Sequence, residues 1–256
     1  MIRLIATDMD GTLLDRDGRV PEGAFEMIEA LTEKGICVTA CSGRQYGNLR
    51  RLFAPVADKM AFVCENGACC VVRGQMEKIV PMKEEDVQEA IRDFEALGLN
   101  VLLSGVESCY VLDRDRAFSD EIVYRLRNTT TIVHSFEQVA EPIIKVAGKL
   151  PGGIAPVAPV LLQKWQGRIT ATVSGAEWFD LNLANKGSGL QTLMSVLGIG
   201  KEETAAFGDN YNDEPMLDLV GHPYIMEWAD QGLHKPSYRT CPSVLDVWKQ
   251  FLNEAK

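Results

Sequence analysis

Histidine is scarce in this chain, with three in 256 residues (His134, His222 and His234) and no metal-ligand spacing among them. Their scatter points to packing or surface roles rather than to a metal centre. The seven cysteines are an odd number, and no two stand in a CxxC spacing. With most of them inside apolar runs, this predicts reduced, packed thiols in a cytoplasmic protein. No run approaches the ~18 consecutive apolar residues of a membrane span, and the apolar start MIRLIATD is too short to be expected to act as a signal peptide. Basic residues are in deficit, 26 against 36 acidic, for a net charge of −10. Nucleic acid and anionic membrane surfaces are therefore excluded as partners. An anionic substrate would need local positive charge or a metal. Repeats and low-complexity tracts are also missing.

What is present is an ordinary globular composition, 46% hydrophobic and 24% charged. At about 150 residues per domain the length fits one large or two modest domains. The first eighty residues alternate strand and helix, which predicts a parallel sheet. Strands are expected at Leu4 to Thr7, Ile36 to Ala40, Met60 to Cys64 and Cys69 to Val72. A helix of about fourteen residues should follow Pro21 and stop at Gly35, and another should cover Gln45 to Leu52. Asn66-Gly67 reads as a tight turn between strands. Past Pro81 the character changes: a helix through Val87, Ala90, Ile91, Phe94 and Leu97, and strands at Asn100 to Leu103, Tyr110 to Leu112 and Ile143 to Val146. A helix is expected around Phe118 to Leu126, and a hairpin from Arg168 to Leu183. Gly148 to Pro159 reads as a loop or helix start, since three prolines cannot sit in a helix interior. From Lys186 the first pattern returns, with a helix through Leu197, a strand at Thr204 to Phe207, a helix at Met216 to Val220, a strand at Pro223 to Met226 and a terminal helix at Val244 to Leu252. The expectation is an α/β protein with a Rossmann-like parallel-sheet core, residues 1–81 plus 186–256, and an inserted α+β cap, residues 82–185.

Asp8-Met9-Asp10-Gly11-Thr12 follows directly on an apolar strand. Side chains two apart on extended backbone point the same way, so two carboxylates are expected to face one space. Chance would supply such a pattern on the order of 0.003 times per chain of this length at average residue usage. A calcium loop fails on spacing, because Thr12 and Leu13 stand where a ligand and a glycine are needed.

This run resembles the first motif of the haloacid dehalogenase superfamily of phosphohydrolases, specifically its Cof-type branch with a large α/β cap. Ser42-Gly43-Arg44 after the second strand is similar to the second motif, Lys186 at a helix start to the third, and Gly208-Asp209-Asn210-Tyr211-Asn212-Asp213 to the fourth. The likeness covers nearly the whole chain in family order. Asn210 stands where glycine is common, and Pro223 to Pro236 follows the family pattern only loosely. The resemblance implies Asp8 as nucleophile and Asp10 as acid/base. It implies a metal held by the side chains of Asp8 and Asp209 and the backbone carbonyl of Asp10, with Asp213 assisting nearby. The phosphate would rest on the Met9 and Gly43 backbone N–H groups, Ser42, Lys186 and Asn212.

Elementary physics supports this independently. Asp8, Ser42 and Asp209 each follow a short apolar strand and so sit at carboxyl ends, where open α/β sheets bind ligands. Oxygen donors without a Cys/His set suit a hard cation, and beside a phosphate that is Mg²⁺. Helix capping is a competing role for Asp209 and Asp213, and both roles can coexist. Lys186 by itself would read as a surface lysine. Arg44 and Asn66 could reach a substrate, while a salt bridge and a turn residue fit them equally well. The expected activity is Mg²⁺-dependent hydrolysis of a small phosphorylated metabolite, a sugar phosphate first, through an aspartyl-phosphate. The alternatives are a phosphomutase of the same superfamily or a phospho-ligand sensor with vestigial catalysis. Selectivity is expected to lie in the cap.

Overall fold

The computed structural model describes residues 1–255. The chain opens with β1 (Leu4–Thr7), four residues buried throughout, as befits a strand covered on both faces. The next helix, α1 (Ala24–Glu33), has 10 residues, shorter than the pattern from Pro21 suggests. Gly23 precedes it at φ 81°, a left-handed turn that bars the helix from starting earlier. There follow β2 (Cys37–Cys41), α2 (Tyr46–Leu52), β3 (Ala61–Cys64), β4 (Cys69–Val72) and β5 (Gln75–Ile79).

The middle of the chain holds α3 (Glu84–Ala96), β6 (Asn100–Gly105), β7 (Cys109–Leu112), α4 (Arg116–Asp120), β8 (Thr130–Val133), β9 (Ile143–Lys149), α5 (Ala158–Trp165), β10 (Thr170–Val173) and β11 (Trp178–Asn182). The last part comprises α6 (Lys186–Leu197), β12 (Thr204–Gly208), α7 (Glu214–Leu217), β13 (His222–Met226), β14 (Arg239–Cys241) and α8 (Val244–Glu254).

Two compact units result, one of Met1–Lys78 with Asn185–Lys256, the other Ile79–Ala184. The first unit is built on an eight-stranded sheet in the order β14-β13-β12-β1-β2-β3-β4-β5. From β14 to β3 the strands run parallel, and β4 returns antiparallel to β3. Leu4 and Ala6 of β1 turn to a core shared with Leu190 and Leu193 of α6 and Met216 of α7. Helices α1 and α8 pack against each other.

The second unit has a six-stranded sheet, β10-β11-β9-β6-β7-β8, antiparallel except for the β7–β8 pair. Phe94 of α3 and Leu161 and Trp165 of α5 pack on Val101, Leu103, Val146, Phe179 and Leu181 of one sheet face. Phe118 and Ile122 pack on Leu102, Cys109, Val111 and Ala147 of the other. Strand β9 runs three residues past its expected end and takes in Gly148. A Cβ there would lie 2.5 Å from Leu99 and 2.7 Å from Phe94, so this glycine serves close helix–sheet packing rather than a loop.

Strands β5, β8 and β14, which the sequence pattern does not mark, all lie at sheet edges. Every residue of β5 is exposed. Edge strands need no buried alternation, and so leave little periodicity to read.

Candidate active site

Strand β1 pairs in parallel with β12, with Thr7 opposite Phe207, and the Asp8 N–H donates to the Phe207 carbonyl at 2.9 Å. That register carries Asp8 and Asp209 off the carboxyl ends of adjacent strands. Strand β2 lies on the other side of β1 and leads into Ser42. Oxygens of Asp8, Asp209 and Asp213 all lie within 4.8 Å of one another.

Lys186 opens α6, whose N-terminus is capped by the Asn185 side chain accepting from Ser188 N–H. Its side chain is fully buried, with Nζ 2.5 Å from Asp8 Oδ1 and the same distance from Asp213 Oδ1. Asp213 Oδ2 accepts from the backbone N–H groups of Asp209 and Asn210, at 3.0 Å each. One carboxylate thus orders the loop and faces the lysine.

Gly11 has φ 90°, and a Cβ there would stand 2.3 Å from Asp209 Oδ2. Only glycine tolerates both demands. The next residue, Thr12, donates from Oγ1 to Asp209 Oδ1 at 2.9 Å, a partner that sequence reasoning missed.

The electrostatics follow from burial. Desolvation pushes the Asp8 carboxyl up to about 8, opposed by Lys186 and reinforced by Asp213 and Asp209. Asp209 is raised by burial as well, against the Thr12 hydrogen bond. Burial works against charge on Lys186, but Asp213 and Asp8 override it and hold its pKa above the usual lysine range. With all three carboxylates ionised, as a bound cation would favour, the cluster with its one ammonium carries a formal charge of −2, which a divalent ion would balance. The donors are all oxygen, and none of the three histidines joins the cluster. This set fits a hard divalent ion.

Asp10 departs from expectation. Its carboxylate lies outside the cluster and binds Arg44 instead, through Nε to Oδ2 at 2.8 Å and a second contact from Nη2 to Oδ1. The alternation of an extended strand ends at Asp8, because Met9–Leu13 coil into a turn with Gly11 left-handed. Asp8 is therefore buried and Asp10 solvent-facing. Arg44 serves the salt bridge, one of the two roles its position allowed.

The remaining residues gather on the other flank. Ser42 is buried, its Oγ accepts from Arg44 N–H at 3.2 Å, and its carbonyl accepts from Asn66 N–H at 3.0 Å. Asn66 sits at φ 53° in the turn between β3 and β4, and its Oδ1 accepts from Asn212 Nδ2 at 3.4 Å. A Cβ on Gly43 would lie 3.1 Å from the same Oδ1. Ser42, Gly43, Asn66 and Asn212 are thus neighbours. Met9 is buried immediately after Asp8. A second partner absent from the sequence reading is Trp228, whose Nε1 donates to the Gly11 carbonyl at 2.8 Å. No local signal announces it, since 217 residues separate the two.

Asp8 and Asp209 stand at adjacent strand ends, and a buried lysine joins Asp8 to Asp213 on the following turn. Residues 5–246 match the haloacid dehalogenase-like hydrolase family, and the chain belongs to it. It is a hydrolase by class. It is similar to the 5-amino-6-(5-phospho-D-ribitylamino)uracil phosphatase YbjI of Escherichia coli strain K12, 27% identical over 233 residues, 89% of this chain and 86% of that protein. Likeness to an HMP-PP phosphatase of Serratia proteamaculans is also 27%, over 88% of this chain and 84% of the relative. Among solved structures, SMU.1108c from Streptococcus mutans UA159 superposes with a TM-score of 0.87 at 26% identity, covering 99% of this chain and 100% of that one.

Proposed function

We propose that the chain hydrolyses small phosphomonoesters, sugar phosphates first among them, through an aspartyl-phosphate on Asp8 and with Mg²⁺ as cofactor. The observation that carries the proposal is the fully buried Lys186 held between Asp8 and Asp213, with Asp209 completing the oxygen cluster. Burying such an ion cluster costs desolvation free energy, and buried groups with perturbed pKa values gather at functional sites.

Asp8 and Asp209 side chains and the Asp10 backbone carbonyl would hold the metal, with Asp213 behind them. Mg²⁺ supplies charge neutralisation that lets a carboxylate approach a phosphate dianion. Asp8 attacks phosphorus in line, the bond to the ester oxygen breaks, and Asp10 gives that oxygen its proton. Asp10, now ionised, takes a proton from the water that attacks phosphorus. The Asp8–phosphorus bond then breaks and inorganic phosphate leaves. Ser42, Asn212, Lys186 and the backbone N–H groups of Met9 and Gly43 hold the phosphoryl oxygens, since phosphoryl transfer rests on positioning and charge.

Arg44 grips the ionised Asp10 carboxylate with a planar fork, and that fork must open for Asp10 to carry the proton it gives to the ester oxygen. Residues 79–184 form the unit that would select among leaving groups. The relatives whose names specify substrates act on small phosphorylated metabolites bearing a pyrimidine or a ribityl chain, which suits the same substrate class.

The test is a panel of phosphorylated metabolites assayed for inorganic phosphate, before and after exhaustive chelation. Release should stop on chelation and return with Mg²⁺, while Ca²⁺, with longer bonds and more ligands, should restore little. An isomerised ester in place of inorganic phosphate would make the protein a mutase. Full turnover after chelation would refute the metal.

A further inference from the structure

Trp228 stands apart from the other tryptophans. Trp165 and Trp248 are fully buried and Trp178 is half-buried, whereas Trp228 is 55% exposed. Its ring is nonetheless held in place by the hydrogen bond from Nε1 to the Gly11 carbonyl. Gly11 adjoins Asp10, and Asp209 occupies the place a Cβ at position 11 would need, so the indole is pinned to the turn that carries the acid/base.

The loop bearing Trp228 is tied a second time, where Asp230 Oδ1 accepts from the Tyr211 hydroxyl and from Gly232 N–H, each at 2.8 Å. Both ties run to motif loops, the first and the fourth. Leaving an indole in water forgoes the free energy of burying it. With its N–H already bonded, this ring has only its faces to offer. It also lies in the segment 223–236 that departs from the family pattern.

We infer that Trp228 determines specificity by stacking its face on a ring-bearing leaving group, a heterocyclic base or a cyclic sugar, in preference to an acyclic chain. This rests on the phosphatase reading above and narrows its substrate class.

Two substitutions separate face from anchor: Trp228→Phe keeps a ring without the donor, and Trp228→Gln keeps an N–H donor without the ring. In Mg²⁺, the kcat/KM ratio of adenosine 5′-monophosphate or glucose 6-phosphate to glycerol 3-phosphate should exceed one in the wild type and persist in Trp228→Phe. In Trp228→Gln it should fall about tenfold, chiefly through KM. The adenosine and glucose arms tell a base from a sugar.

A ratio that survives in the Gln variant but not in Phe would make Trp228 a positioning residue acting through Gly11, and would overturn the inference. So would a ratio unchanged in both. Calorimetric titration of adenosine 5′-monophosphate and glycerol 3-phosphate into the inert Asp8→Asn protein, alone and combined with each Trp228 change, reads the same preference without turnover. Failure of every ester to be hydrolysed would thus defeat the phosphatase reading while binding still judged the stacking. Equal or absent binding of the two ligands would defeat the stacking.

Discussion

Asp8 and Asp10 are separated by one residue and by a change of environment. Asp8 is buried against Lys186, while the Asp10 side chain is 59% exposed and clamped by Arg44. Their removal should leave different signatures. Asp8→Asn should abolish turnover, and intact-mass analysis after rapid quench should find no phosphoryl adduct on it. Asp10→Asn should slow turnover by roughly 10²–10⁴ and still show the adduct, because only proton transfer is lost. An adduct mapped to Ser42 or Cys41 would contradict this assignment.

Gly11 makes a second prediction at this scale. A methyl group at position 11 meets both a left-handed backbone and the Asp209 carboxylate. Gly11→Ala should therefore cost about 1–3 kcal/mol, read as a lower melting temperature, and should weaken Mg²⁺ binding measured by calorimetry. Unchanged melting would mean that the turn relaxes freely.

Secondary-structure elements in the second unit are tied by charge as well as by packing. Arg168, just ahead of β10, bonds Asp86 and Glu89 of α3, and Lys164 of α5 bonds Glu89 and Asp93. Glu89 is the shared node. Hydrogen bonds from Arg168 and Lys164 lower its pKa from 4.5 to about 2. A carboxylate with a depressed folded pKa stabilises the fold above its unfolded value and loses that contribution as pH falls. The relevant window therefore runs from about pH 4.5 down to about 2. Melting temperatures followed across it should fall less steeply in Glu89→Gln than in the wild type. High salt should shrink the difference, since the cluster is solvent-exposed. Parallel pH profiles for the two proteins would show that the cluster contributes nothing to stability.

At the scale of the molecule, each unit has its own sheet and apolar core. All the residues proposed for chemistry belong to the first unit. Phosphate and metal are common to every candidate substrate, so contacts to them cannot discriminate; discrimination needs contacts to the leaving group. If residues 79–184 supply much of that discrimination, replacing them with a short linker should leave slow hydrolysis of small aryl phosphates and flatten the kcat/KM ranking among sugar phosphates. A shortened protein that kept the wild-type ranking would place selectivity wholly in the first unit, with Trp228 the residue to pursue.

The α/β alternation, the placement of Asp8, Ser42 and Asp209 after apolar strands, and the helix beginning at Lys186 were all legible in the amino-acid sequence. They rest on hydrophobic periodicity and turn chemistry, which act between near neighbours. Strands β1 and β4 were bounded to the residue for that reason. The direction of Asp10 was not legible, because it hangs on the left-handed turn at Gly11, against which Asp209 packs from 198 positions away. Nor were the edge strands β5, β8 and β14, which bury too little to show a period. Lys186 by itself reads as a surface lysine; its full burial between two aspartates exists only once β1, α6 and the loop after β12 are packed together. Thr12 and Trp228 gain their partners in the same way, across 197 and 217 residues. Local sequence sets which elements form, but contacts at such separations are made by packing, and packing alone decided which polar groups meet.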